Sequence, residues 1–385
     1  MKTKNPLTIP PSQPLAFVGG SGANASNAAK VLQEFAEAGF THSWVVFSDL
    51  KADRAMLDAA QAVGVKLIAK QREQKVPALD VARRFKDHFA LAGYMLLDEP
   101  SAAEFPALAK EAWDVLAVDP GKPVLINLYP NGATGEQLGL KPHQEYSDYV
   151  YKFLSEVPVN LLSYDCYPIK RLGVLEGWYE SLEVISQAAR RAELPLWVWI
   201  ASVGMDLTPD PTIGSFRLQA YTNLAYGATG IEHFCYHTHK GLGMRMGCIE
   251  RDGARTATYG LAGQLHRELA AQAGVFVGST IQQVRYAGGK PPKGTRPWSP
   301  LEGITSLHAG NKGAVVANLA KDNCRFLIAV NQDYLEPMPL SLKWKAQMSV
   351  GSVGKNGSVA MLKGSSLQMQ VAPGDAAILM WTAEK

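Results

Sequence analysis

The stretch Gly93-Tyr94-Met95-Leu96-Leu97-Asp98-Glu99-Pro100 decides how this chain folds. An apolar run enters two adjacent carboxylates and stops at a proline. Proline fixes its own φ and disfavours helix in the residue before it, so Glu99 is expected to be extended and the pair to sit at a strand exit. Two neighbouring acids repel when both are charged. Stability gains nothing from the pair, whereas acid–base chemistry uses one to keep a proton in place. The plainer alternative is a strand followed by a helix-capping Asp and a solvated Glu.

On either side of this stretch one strand–helix unit recurs. Apolar runs at 15–18, 43–47, 65–69, 93–97, 123–127, 160–164, 196–201 and 230–236 read as strands. Helical spacing follows each, at 27–38, 52–62, 78–90, 102–116, 144–155, 175–191, 216–225 and 257–273. The strands are continuously apolar, as parallel strands covered on both faces are. An open doubly wound sheet uses the same alternation. The count closes at eight, however, and polar residues gather at most strand ends, so the expected fold is an α/β (β/α)8 TIM barrel. After Gly274 the texture changes to short alternating runs at 313–318, 326–331, 340–344, 367–371 and 376–381, separated by Gly, Asn and Pro. These predict a small antiparallel β-sandwich. The expected division is an N-terminal arm over 1–14, the barrel over 15–275 and the β domain over 276–385.

Composition narrows the class. The 385 residues are 47% hydrophobic and 19% charged, and the formal charge is +3 with no basic stripe. Nucleic acid is therefore not expected as a partner. No apolar run is long enough to span a membrane, and no membrane partner is expected. The polar start is not followed by the apolar segment of a secretion signal, so none is read in this chain, and compartment and oligomeric state stay open. Cys166, Cys235, Cys248 and Cys324 lack the spacing of a metal knuckle or redox pair. The loop Gly19-Gly20-Ser21-Gly22 has neither the dinucleotide fingerprint nor a Walker lysine.

Barrel enzymes place their chemistry at the C-terminal ends of the strands. Those ends offer Asp98 and Glu99, then Asn127 with Tyr129, then Asp165 with Tyr167, then Trp197, Trp199 and Ser202, then Glu232, Tyr236, His237 and His239. No lysine is read at a strand end, which argues against Schiff-base chemistry. The histidines share one loop without matching carboxylates, so neither a metal nor another cofactor is expected. Carboxylates beside aromatic walls suit a carbohydrate, because acids handle protons and hydroxyls while rings stack on C–H faces. Each residue also has a plainer role. Asn127 could satisfy a loop backbone, Trp197 and Trp199 could fill the barrel, Glu232 could pair internally, and the histidines could be solvated.

The runs 94–100, 162–168 and 224–231, with the Pro373-Gly374-Asp375 turn, resemble barrel glycoside hydrolases that carry an accessory β domain. Retaining enzymes with Asn-Glu-Pro on strand four require a glutamate closing strand seven. Here Asp98 replaces that Asn, and 196–202 contains no glutamate. The Asp-Glu pair is similar to that of the substrate-assisted β-N-acetylhexosaminidases, families 20 and 123, in which the sugar's acetamide oxygen attacks the anomeric carbon. That resemblance implies Glu99 as general acid and then base, and Asp98 as the residue orienting the acetamide. It implies Tyr167 on the acetamide oxygen and Trp199 as pocket wall. Asn127, Asp165, Tyr236 and His237 complete the expected sugar contacts. It places β-N-acetylgalactosaminides ahead of the gluco epimer. Two rivals stay open: a conventional carboxylate pair of Glu99 and Asp165 acting on sugars without acetamide, and a non-catalytic sugar-binding protein.

Overall fold

A computed structural model describes residues 7–71, 76–301, 303–311 and 313–383. The first half alternates strand and helix: β1 (Ala16–Gly19), α1 (Ala28–Glu37), β2 (His42–Val45), α2 (Asp53–Ala62), β3 (Lys66–Lys70), α3 (Ala78–Phe85), β4 (Leu91–Asp98) and α4 (Phe105–Val118). Next come β5 (Val124–Leu128), a one-turn α5 (Gly135–Leu138), α6 (Tyr146–Glu156) and β6 (Leu162–Asp165). A two-residue hairpin, β7 (Ile169–Lys170) and β8 (Gly173–Val174), precedes α7 (Gly177–Arg191). The alternation ends with β9 (Leu196–Ala201), α8 (Ile213–Ala225), β10 (Ala228–Phe234), α9 (Ala257–Ala271) and α10 (Ala273–Phe276).

Eight of these strands close into a barrel in the order β1-β10-β9-β6-β5-β4-β3-β2. Its interior is filled by Val18, Trp44, Ile68, Met95, Leu125, Trp197 and Trp199. Both tryptophans of β9 point inward, as residues two apart on a strand must. The helix expected over 78–90 ends at Phe85, because a turn at His88 takes over. His88 Nδ1 accepts from the Ala90 N–H at 3.1 Å, and β4 begins at once.

The C-terminal chain forms β11 (Thr280–Ala287), β12 (Ile304–Ala309), β13 (Ala314–Lys321), β14 (Cys324–Asn331), β15 (Met338–Trp344), β16 (Gly351–Val353), β17 (Val359–Met361), β18 (Ser366–Val371) and β19 (Ala376–Thr382). A six-stranded sheet, β11-β13-β14-β19-β16-β17, and a three-stranded one, β12-β15-β18, make the sandwich. Leu307, Val316, Leu327, Leu340, Trp344, Leu379 and Trp381 belong to its core.

Packing divides the chain into two compact units. One is Ala16–Asp210 with Gly230–Gly263; the other joins the segment ending at Leu15 to Pro211–Thr229 and the chain from Gln264 onward. In the second unit α8 lies on β13, β14 and β19. A close backbone approach fixes it there. A Cβ on Gly214 would strike the Tyr334 carbonyl, and one on Gly374, at φ 63°, would strike the Gly214 carbonyl. Beside this contact Arg217 donates two bonds to Glu268, at 3.0 and 2.6 Å, and reaches Asp375 at 3.5 Å. Lys355 also pairs with Asp375.

Candidate active site

Asp98 closes β4 opposite Asn127 of β5, after a register shift that follows Met95. The Asn127 Nδ2 donates to Asp98 Oδ1 at 3.0 Å, and the Lys70 amine lies 3.3 Å from Asp98 Oδ2. Two donors, one of them cationic, fix the position of the Asp98 carboxyl. Lys70 corrects the sequence reading, which found no lysine at a strand end. β3 runs one residue past Ala69, and Lys70 is its last position.

Glu99 is not extended. Its φ is 52°, in the left-handed region, and its N–H donates to the Asn127 carbonyl at 2.8 Å. Such a conformation costs a non-glycine residue about 1–3 kcal/mol and persists where surrounding structure imposes it. Strict alternation would send consecutive side chains to opposite faces. With the left-handed step, Asp98 and Glu99 both line one cavity.

Asp165 closes β6 and joins them. Its carboxyl lines the same cavity as Glu99 and Tyr167 and interacts with both. Burial, the Glu99 charge and the Asp98 charge hold the Asp165 carboxyl well above its ordinary range, with the Tyr167 bond opposing. Glu99 is raised by burial and by Asp98, while its bond to Asp165 pulls it down. Three carboxylates thus converge: Asp98 held by donors, and Glu99 and Asp165 both pushed toward their neutral forms.

The cavity measures about 1030 Å³. Trp199 stacks on Trp44, ring centres 5.8 Å apart and planes 6° apart. Tyr167 stacks on Phe234 at 5.0 Å. Below the acids, Ser163 Oγ lies 3.1 Å from Asn127 Oδ1 and 2.8 Å from Glu232 Oε1, and the Trp199 indole N–H donates to it at 3.3 Å. A second cavity of about 520 Å³, walled by Tyr129, Asn131, Leu175 and Trp178, shares Glu99, Asp165, Tyr167 and Lys170 with the first.

Of the residues expected from sequence, Asp98, Glu99, Asn127, Asp165, Tyr167, Trp199 and His237 line the main cavity. The His237 ring is fixed by donating Nε2–H to the Ser21 carbonyl at 2.9 Å. Tyr236 does not reach the cavity. It is 1% exposed, with its ring edge-on to Phe35 at 5.0 Å and to Phe40 at 5.3 Å, because it alternates away from the mouth. Sequence reasoning passed over Lys70, Lys170 and Trp44. Trp44 lies inside an apolar strand and carries no local mark of facing a site. Lys70, as the polar end of an apolar run, was legible.

No family model matches this sequence, and no curated protein matches it. Solved structures match in shape. An Anoxybacillus α-amylase, described as a new glycosyl hydrolase subclass, aligns over 97% of this chain and 98% of its own at 11% identity and a TM-score of 0.59. A GH27 β-L-arabinopyranosidase from Geobacillus stearothermophilus, in complex with arabinose, aligns over 97% and 98% at 8% identity and 0.51. A β-galactosidase from Marinomonas also aligns, over 68% of this chain at 10% identity and 0.49, and the chain spans only 60% of its length. At these identities the likeness is one of fold: a barrel followed by a β-sandwich.

Proposed function

We propose that this chain is a glycoside hydrolase. The observation that carries the proposal is the convergence of Asp98, Glu99 and Asp165 on one aromatic-walled cavity, with Asp98 held by Asn127 and Lys70 and the other two raised above their ordinary range. The structural neighbours act on sugars by their descriptions, which agrees with this reading.

The finer reading is a retaining β-N-acetylhexosaminidase. Glu99 gives its proton to the glycosidic oxygen as the C1–O bond breaks. The substrate's acetamide oxygen forms the new bond to C1, and Asp98 accepts from the acetamide N–H and balances the positive charge of the cyclic oxazolinium intermediate. The leaving group departs through the second cavity. Glu99 then takes a proton from water, the water oxygen attacks C1, and the acetamide is released. Asp165 supports this reading because, held neutral, it is a poor nucleophile. A conventional mechanism has one observation in its favour: Asp165 lines the same cavity as Glu99. In that mechanism a bound sugar parts the pair and Asp165 becomes the anion.

A panel of p-nitrophenyl hexosides with and without the 2-acetamido group separates these readings. Turnover confined to the N-acetylated members, the galacto epimer first, is the expected result. Equal turnover of plain hexosides moves the mechanism to Glu99 and Asp165. Binding with no hydrolysis of any member overturns the enzyme reading.

A further inference from the structure

Glu232 is wholly buried on β10, and its Oε2 has no hydrogen-bond partner among the described residues. Its Oε1 meets Ser163 Oγ at 2.8 Å, within a chain of contacts whose hydrogens can be counted. Asn127 turns Nδ2 toward Asp98, so Oδ1 is the atom facing Ser163. Oδ1 only accepts, a hydroxyl has one hydrogen, and the Trp199 indole brings its own. With Glu232 ionised, Oε1 and Asn127 Oδ1 compete for the single Ser163 hydrogen. The carboxylate takes it, since charge-assisted bonds are stronger, and Asn127 Oδ1 is left facing a lone pair. With Glu232 protonated, its O–H serves Ser163 and the Ser163 O–H serves Asn127. Every short contact then holds one hydrogen.

We propose that Glu232 is a positioning residue for the acid site: as a neutral acid it donates to Ser163, Ser163 donates to Asn127, and Asn127 so oriented donates to Asp98. Glu232 itself touches no substrate. Its protonation fixes the amide that holds Asp98 beside Glu99. Burial pushes the Glu232 carboxyl up to about 8, against the Ser163 bond and Lys70, with Asp98 and Asp165 adding to the rise. Elsewhere in the barrel, His42 of β2 is kept neutral by burial, with Lys66 adding to the fall, at a value of about 4. The relay therefore loses its proton in mildly alkaline solution.

The catalytic consequence rests on the glycosidase reading; the protonation state of Glu232 does not. Infrared titration of the parent and of Glu232→Gln tests the proton. A carboxylic-acid C=O band present near pH 6, lost by about pH 9.5 and missing from the variant is expected around a value of about 8. In parallel, kcat/KM against pH is measured on the aryl glycoside that the parent cleaves. Glu232→Gln still donates to Ser163, so it keeps turnover near pH 6 and removes one ionisation from the alkaline limb. Glu232→Leu lowers kcat on the order of ten- to a hundred-fold with KM little changed, as misplacement of a reacting group does. If the leucine variant does not fold, Ser163→Ala breaks the same relay and is expected to lower kcat likewise. An ionised Glu232 at pH 6, an unchanged alkaline limb in the glutamine variant, or full activity in the relay-broken variant overturns the proposal. A parent inactive on every aryl glycoside defeats the glycosidase reading, and the infrared result still decides the proton.

Discussion

Glu99 draws opposite influences from its two acidic neighbours. Burial and the Asp98 charge raise it, and the Asp165 bond lowers it. A general acid works below its pKa and fails as pH rises through it, so the alkaline limb of kcat/KM reports this group. Asp98→Asn removes a charge that raises Glu99 and is expected to move that limb to lower pH. Asp165→Ala removes the bond that lowers Glu99 and is expected to move it higher. Limbs shifting the same way in both variants would mean that another group supplies the proton. Glu99→Gln is expected to lower kcat about 10²- to 10⁴-fold on a substrate with a poor leaving group, as loss of a general acid does. Steady-state assays over a pH series check all three variants. The acids themselves were legible in the sequence, because charges at the ends of apolar strands have few other reasons to be there. The left-handed step at Glu99 was not, because proline biases its predecessor the other way. Tyr236 was misplaced for a related reason: one residue of phase at a strand end reverses a side chain.

At the scale of elements, the eight barrel strands were legible because burial on both faces makes them continuously apolar. β11 was not. Its sequence, Thr280 to Ala287, exposes alternate polar residues and borders the Gly- and Pro-rich stretch that follows, so its period is faint. The contact of α8 with the 373–375 turn gives two stability predictions. Gly374→Ala forces a side chain into a left-handed position against the Gly214 carbonyl and is expected to cost about 1 kcal/mol or more in urea unfolding. Arg217→Met takes both guanidinium bonds from Glu268, which keeps Gln264 at 2.9 Å and the Lys355 amine at 4.0 Å, and is expected to cost about 1–3 kcal/mol. Burial raises Glu268, yet its bonds from Arg217 and Gln264 outweigh that and hold it below its ordinary value. A depressed carboxylate stabilises the fold above its unfolded pKa, and that contribution fades as pH falls through the folded value. The deficit of Arg217→Met relative to the parent is therefore expected to shrink in acid, as denaturation curves at several pH values would record.

At the scale of the molecule, a barrel and a sandwich were both legible, the first from the repeat count and the second from the change of texture after Gly274. Less legible was the path of the segment Pro211–Thr229. It runs between two barrel strands in sequence and packs with the C-terminal chain. A gene severed after residue 275 would leave that segment without its cover, stranding the Arg217 guanidinium away from Asp375. The truncated product is expected to pellet on expression or to lose a cooperative melt by circular dichroism. Recombination could not have traded the sandwich freely between barrels, since a donor sandwich would have to arrive with a helix cut to fit it.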